Sequence, residues 1–217
     1  MSTGKLPRMT PPTPATQPTT PADVLDFWLG DGMALGWPSQ DMNERWFRGG
    51  AALDQEIKAR FGADVMRAVR GGLQAWETQV ESRLALIILL DQFTRNVFRG
   101  TGKAFEGDAR AERLVLRTLD SRKDQQLPWV GRMFLYMPLM HAEDAALQAK
   151  CVACFSSLMD DAPADLKPRF QGNLDFARQH QEIIARFGRF PYRNTALGRI
   201  NTPEEASFLV EGPRFGQ

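Results

Sequence analysis

Asp91, Gln92, Arg95 and Asn96 stand directly after the apolar run "LALIILL", Leu84 to Leu90. On a helix Asp91 and Arg95 lie one turn apart on the same face, a spacing that lets a carboxylate meet a guanidinium. Asp91 also extends the stripe of Leu84, Ile87 and Ile88, which aims its carboxylate inward. A charge removed from water must be paired and hydrogen-bonded. The run therefore describes either an ion pair that ties helices together or one wall of a ligand site.

The chain has two histidines. His180 falls within the apolar face traced by Leu174, Ala177, Ile183, Ile184 and Phe187, so it points inward. It is either a hydrogen-bonded core residue or a general base close to the arginines that follow. His141 lies in "PLMHAED" with Glu143 and Asp144. Pro138 predicts a helix start there, where the acids would complement the positive end of the helix dipole. Two histidines without HExxH spacing are too few ligands to expect a metal. "CVAC", Cys151 to Cys154, falls inside an amphipathic helix rather than at its N-terminus, so both thiols read as small core residues and not as a redox pair.

The stretch "RFGRFPYRN" (186–194) holds three arginines and three aromatic rings. Arg186 is still helical, Gly188 ends the helix and Pro191 prevents its resumption. Arg189 and Arg193 then project from a stiff loop beside Phe187, Phe190 and Tyr192. A guanidinium stacks on rings and grips carboxylate or phosphate through paired hydrogen bonds. This stretch is either a lid packed on acidic neighbours or an anion clamp. No GxSxG, Walker-type GxxxxGK or GxGxxG motif occurs, and "GTGKAF" lacks the strand that a phosphate loop requires. No cofactor is expected.

The elements that must position these groups read as helix after helix. Thr20, Pro21 and Asp23 form a capped start, and Thr202, Pro203 and Glu205 form another. "DMNERWFR", "AALDQEIKARFG" closed by Gly62, "ADVMRAVRGG", "ESRLALIILLDQFTRNVF" and "DARAERLVLRTLD" follow in order. "PWVGRMFLYM", "LMHAEDAALQAKCVACFSSLMDD" and "KPRFQGNLDFARQHQEIIARFG" complete the series. Period-2 alternation is missing, so no sheet is expected. Short turns between helices predict stacked antiparallel pairs.

Bulk composition bounds the function. The 217 residues are 43% hydrophobic and 24% charged, with a net charge of +1. That is the profile of a globular chain with no basic surplus for nucleic acid. Residues 1–20, rich in Pro and Thr, predict a disordered tail, and 21–217 predict a single helical domain. "LALIILL" is too short to cross a bilayer, and no secretory h-region opens the chain, so the expectation is a cytoplasmic protein without membrane contact.

"DQFTRNVFRG" (91–100), "PWVGRMFLYMPLMHAED" (128–144) and "IIARFGRFPYRNTALGRINTPEE" (183–205) together resemble the bacterial DUF924 family. "DVLDFWLG" and "RWF" (45–47) fit the same pattern. The resemblance implies an all-α fold similar to tetratricopeptide-type α–α superhelices, and no established activity. It implies as characteristic polar residues Asp91, Gln92, Arg95, Asn96, Arg132, Tyr136, His141, Glu143, His180, Arg189, Arg193, Asn194 and Arg199. Tyr192 departs from the family pattern, which often has histidine there. Arg132 and Tyr136 would share one helix face.

Three functions follow as expectations. In the first, Arg95, Arg132, Arg189 and Arg193 hold an anionic small molecule or acidic peptide, with Asp91 and Glu143 orienting the arginines. In the second, the protein is a hydrolase or lyase acting on an acidic small molecule, with His180 or His141 as catalytic base. In the third, a groove grips a partner's peptide as a scaffold does.

Overall fold

The structure is a computed structural model that describes residues 18–212, apart from the Glu211 side chain. Residues 1–17 of the expected tail lie outside the described residues. Among the described residues every regular element is helical.

Thr20 opens α1 (Pro21–Leu29) with the reciprocal cap its sequence predicts. Asp23 N–H donates to the Thr20 hydroxyl at 3.2 Å, and Thr20 N–H donates to the Asp23 carboxylate at 2.7 Å. Two short segments follow, α2 (Gly32–Leu35) and α3 (Asn43–Phe47). Side chains fix them: Trp46 Nε1 donates to the Trp28 carbonyl at 2.7 Å, and Trp46 meets Trp37 and Phe134 edge-on.

α4 (Ala51–Val69) differs from expectation, because it runs straight through Gly62. Ile57, Phe61, Val65 and Ala68 form one buried stripe across the glycine. Burying such side chains is worth roughly 1.5–3 kcal/mol each, more than the ~1 kcal/mol a glycine costs a helix interior.

The predicted helix over 81–98 is present, with a wide turn at its centre. α5 (Val80–Ile87) passes into a π-helical segment (Ile88–Phe93) and then into α6 (Thr94–Val97). Leu84 to Leu90 are buried on all sides, closed in by α1, α4 and two later helices, α7 (Asp108–Asp120) and α8 (Trp129–His141).

A second correction concerns Pro138, which starts no helix. α8 carries it internally and ends at His141. Val130 to Met140 are all buried, so packing overrides the ~3 kcal/mol penalty of an interior proline. The next helix, α9 (Ala145–Asp161), is capped by Asp144, whose carboxylate accepts from Leu147 N–H at 2.8 Å. α9 and α10 (Lys167–Phe187) pack along each other, and α8 lies against α9. α10 ends at Gly188, whose φ of 68° lies in the left-handed region glycine favours. α11 (Pro203–Glu211) starts with the predicted Thr202–Glu205 box. One main core draws on α1 and α4 through α10, and a smaller cluster of Ile183, Ile184 and Phe190 sits beneath the arginine-rich loop.

Gly107 approaches the π segment closely: a β-carbon there would collide with the Leu90 carbonyl oxygen. Gly107→Ala is expected to lose about 1–3 kcal/mol in urea unfolding through overpacking. Gly62→Ala, whose new methyl group would meet only the Lys58 side chain at an ordinary 3.7 Å, is expected to gain about 0.5–1 kcal/mol. A neutral Gly107→Ala would contradict the tight seating of the π segment.

Candidate functional site

Asp91 sits in the π segment at 1% exposure. Its Oδ1 lies 2.7 Å from Nδ1 of His141 and 3.3 Å from a guanidinium nitrogen of Arg95. Gln92 Nε2 donates to its Oδ2. Burial opposes the charge, but Arg95 and His141 outweigh it and hold the carboxyl below the usual carboxylate range. An ionised carboxylate only accepts, so Nδ1 of His141 carries a proton, and in the neutral ring Nε2 is the acceptor. That nitrogen makes no hydrogen bond to any described residue.

His180 is fixed in the same sense, by a backbone group. Its Nδ1 donates to the Phe176 carbonyl at 2.8 Å. Burial pushes its pKa down to about 3, with His141 and Arg193 adding to the effect, so the ring is neutral. The two imidazoles lie 6.4 Å apart, centroid to centroid. Both face one open cavity of about 920 Å³ between the α1–α3 region, the π segment with α6, α8 and α10. Gln92, Arg95 and Asn96 also line it. Asn96 is held by Asp54, which accepts from its Nδ2 at 2.8 Å.

Helix geometry divides α8 between two tasks. Met133, Met137, Met140 and His141 face the cavity. Arg132 and Tyr136 are rotated by about 100° per residue from that face and do not line it. Tyr136 donates to Asp124 at 2.7 Å, Arg132 Nε donates to the Tyr136 hydroxyl at 3.3 Å, and the Arg132 guanidinium lies over Trp129. This is a separate buried cluster.

The arginine-rich loop does not line the cavity either. Arg189 forms a two-point pair with Glu205 at 2.6 and 2.8 Å. Arg199 does the same with Glu143 at 2.7 and 2.8 Å, and Glu143 also accepts from Phe190 N–H. Asn194 donates to Asn201 and Glu205. Arg193 is buried between the Phe105 and Phe190 rings and reaches Asp108 at 3.5 Å. Of the four arginines expected to hold an anion, Arg95, Arg132, Arg189 and Arg193, each has partners of its own and only Arg95 lines the cavity.

The loop still reaches the site from behind. Asp108 takes both terminal nitrogens of Arg95, at 3.0 and 3.1 Å, as well as Arg193, so Asp91, Arg95, Asp108 and Arg193 form one charge-balanced chain. Phe190 meets His180 edge-on. Sequence reading missed Asp108, which looks like an ordinary first-turn acid. It also missed the Met133–Met137–Met140 stripe, whose helical spacing was visible, and the tryptophan walls, Trp37 and Trp46, which depend on chain crossings that no local signal reports.

Among the described residues the fold is all-helical, with a buried acid–imidazole pair beside a cavity. The family model for bacterial proteins of unknown function, DUF924, matches residues 24–213, and the chain belongs to that family. The chain is similar to a solved protein of unknown function from Agrobacterium tumefaciens, at 36% identity over 88% of this chain and 97% of that one, with a TM-score of 0.73. No curated protein matches it. No helix among the described residues is long and apolar enough to cross a membrane.

Glu112, one turn beyond Asp108, forms no ion pair among the described residues, Arg95 and Arg193 being committed to Asp108. Burial first, then the charges of Asp108 and Asp91, push its pKa up to about 7, against the opposing pull of Arg193. The folded state therefore holds this proton more tightly than the unfolded chain, and stability falls as pH rises from about 4.5 to about 7. Glu112→Gln is expected to match the wild type in melting temperature near pH ~4. Near pH ~8 it should exceed it by about 2–4 °C, on the order of 1 kcal/mol after solvent screening. Equal melting temperatures at both pH values would show that Glu112 carries no such strain.

Proposed function

We propose that the cavity is the active site of a hydrolase or lyase acting on an acidic small molecule, with His141 as general base oriented by Asp91. The observation that carries this reading is the 2.7 Å contact between the buried Asp91 and His141 Nδ1, with Nε2 left for the cavity. A carboxylate on the far nitrogen fixes the tautomer and stabilises the imidazolium that forms when Nε2 takes a proton. In hydrolysis, Nε2 takes a proton from water as its oxygen bonds to the acyl carbon, then returns the proton to the leaving group. In elimination, Nε2 takes the proton from carbon and the leaving group departs with its bonding pair. His180, kept neutral, adds a hydrogen-bonding nitrogen to the cavity without adding charge.

An acidic substrate is supported by the charges in the lining. Arg45, Arg48, Arg95, Arg99 and Arg169 stand against Asp41 and Glu44. Binding an anion without turnover would use the same surface, but it would give no role to a buried carboxylate holding an imidazole in one tautomer.

The test is a turnover screen of carboxylate-bearing esters, amides and β-hydroxy acids, run on wild type, His141→Gln and Asp91→Asn, each checked for folding by its melting curve. A positioned general base contributes roughly 10²–10⁴-fold, so a folded His141→Gln protein is expected to lose about that factor in kcat. Turnover unchanged in both variants, or absent across the panel in wild type, would overturn the proposal.

A further inference from the structure

We infer that the cavity selects amphipathic carboxylates, holding the anionic head at its mouth between Arg48 and Arg169 and the apolar body inside. This rests on reading the cavity as a substrate site, and it adds the ligand class and the residues that set it.

Few of the arginines that line the cavity remain available to a ligand. Arg95, the most enclosed, has both terminal nitrogens on Asp108 and one also on the Asp91 carbonyl. Arg99 is paired with Asp54 through two nitrogens. Arg45 donates to the Phe27 carbonyl and lies over the Phe27 ring at 4.4 Å. Arg48 and Arg169 are exposed, and neither has a carboxylate partner among the described residues. Arg169 is held over the Trp37 ring, 5.4 Å from its centroid, which positions it without using its hydrogen-bonding edge.

Exposure then gives the direction. Met133 and Met140 are buried at 1% and 4%, whereas Phe47 and Phe176 are 52% and 50% exposed. All four line the cavity, so its lining grades from buried methionines, beside Gln92 and His141, to an open mouth with arginines and phenylalanines. Methionine adapts to unlike apolar shapes, and a volume near 920 Å³ accepts a body well beyond acetate in size. At the mouth, Arg45, Arg48 and Arg169, none of which has a carboxylate partner among the described residues, stand against Asp41 and Glu44, three cations to two anions. The net field there favours an anion. An entering apolar chain passes Phe47 and Phe176 and brings its far end to His141.

Calorimetric titration with sodium octanoate tests this, with octylammonium, octanol and acetate as comparators and tryptophan fluorescence as a second readout. Octanoate is expected to bind saturably and about tenfold or more tighter than either octylammonium or acetate. The double substitution Arg48→Gln, Arg169→Gln should abolish the preference for octanoate over octylammonium while leaving octanol affinity within about threefold. Octanoate binding with no turnover of any panel substrate would leave this inference standing and remove the catalytic reading. Absent octanoate binding, equal affinity for octanoate and octylammonium, or a preference that survives the double substitution would overturn the inference whatever the activity.

Discussion

The structure around the site depends on keeping the carboxylate of Asp91 charged inside a helical core. An isolated buried carboxylate would take up a proton, and the group would then orient nothing. Arg95 and His141 prevent this, and Arg95 is itself restrained by Asp108. Asp108 also meets Arg193, so a loop just over a hundred residues beyond Asp91 is tied into the same chain of charges. Removing Asp108 would leave the buried Arg193 without its carboxylate and Arg95 with Asp91 alone, which is costly in a buried site.

The backbone accommodates this in an unusual way. The π segment over Ile88–Phe93 seats Asp91 and Gln92 together, one bound to His141 and the other bound to Asp91 while lining the cavity. Wide turns of this kind are rare in helices and tend to occur where side chains have tasks other than packing. Thr94 caps the Leu90 carbonyl with its hydroxyl, and Gly107 leaves room for that carbonyl. The device is local, but the neighbouring helix must carry a residue without a side chain to permit it.

Arginine serves two purposes here, and partner supply separates them. Arg189, Arg193 and Arg199 lie among Glu205, Asp108 and Glu143, and they fasten the segment between α10 and α11 to the body of the fold. Arg48 and Arg169 have no ion-pair partner among the described residues, and Arg169 is braced on a tryptophan. The same residue type, equally polar in the sequence, is a structural fastening in one place and a surface cation in the other.

The sequence by itself determined what depends on near neighbours: helix rather than strand, the capping boxes at Thr20 and Thr202, the stop at Gly188, and the inward aim of Asp91 and His180. Each follows from periodicity or from backbone groups within a turn or two. Gly62 and Pro138 were misleading because their local penalties, about 1 and 3 kcal/mol, are smaller than the burial gained by continuing α4 and α8. Only the tertiary structure decided which of the candidate polar residues share a cavity. The partner of Asp91 is His141 on another helix, and Arg132 and Tyr136 turn away from the cavity by one residue's rotation on that same helix. Such choices are settled by how helices cross and which charges are left to pair, and no local pattern encodes them.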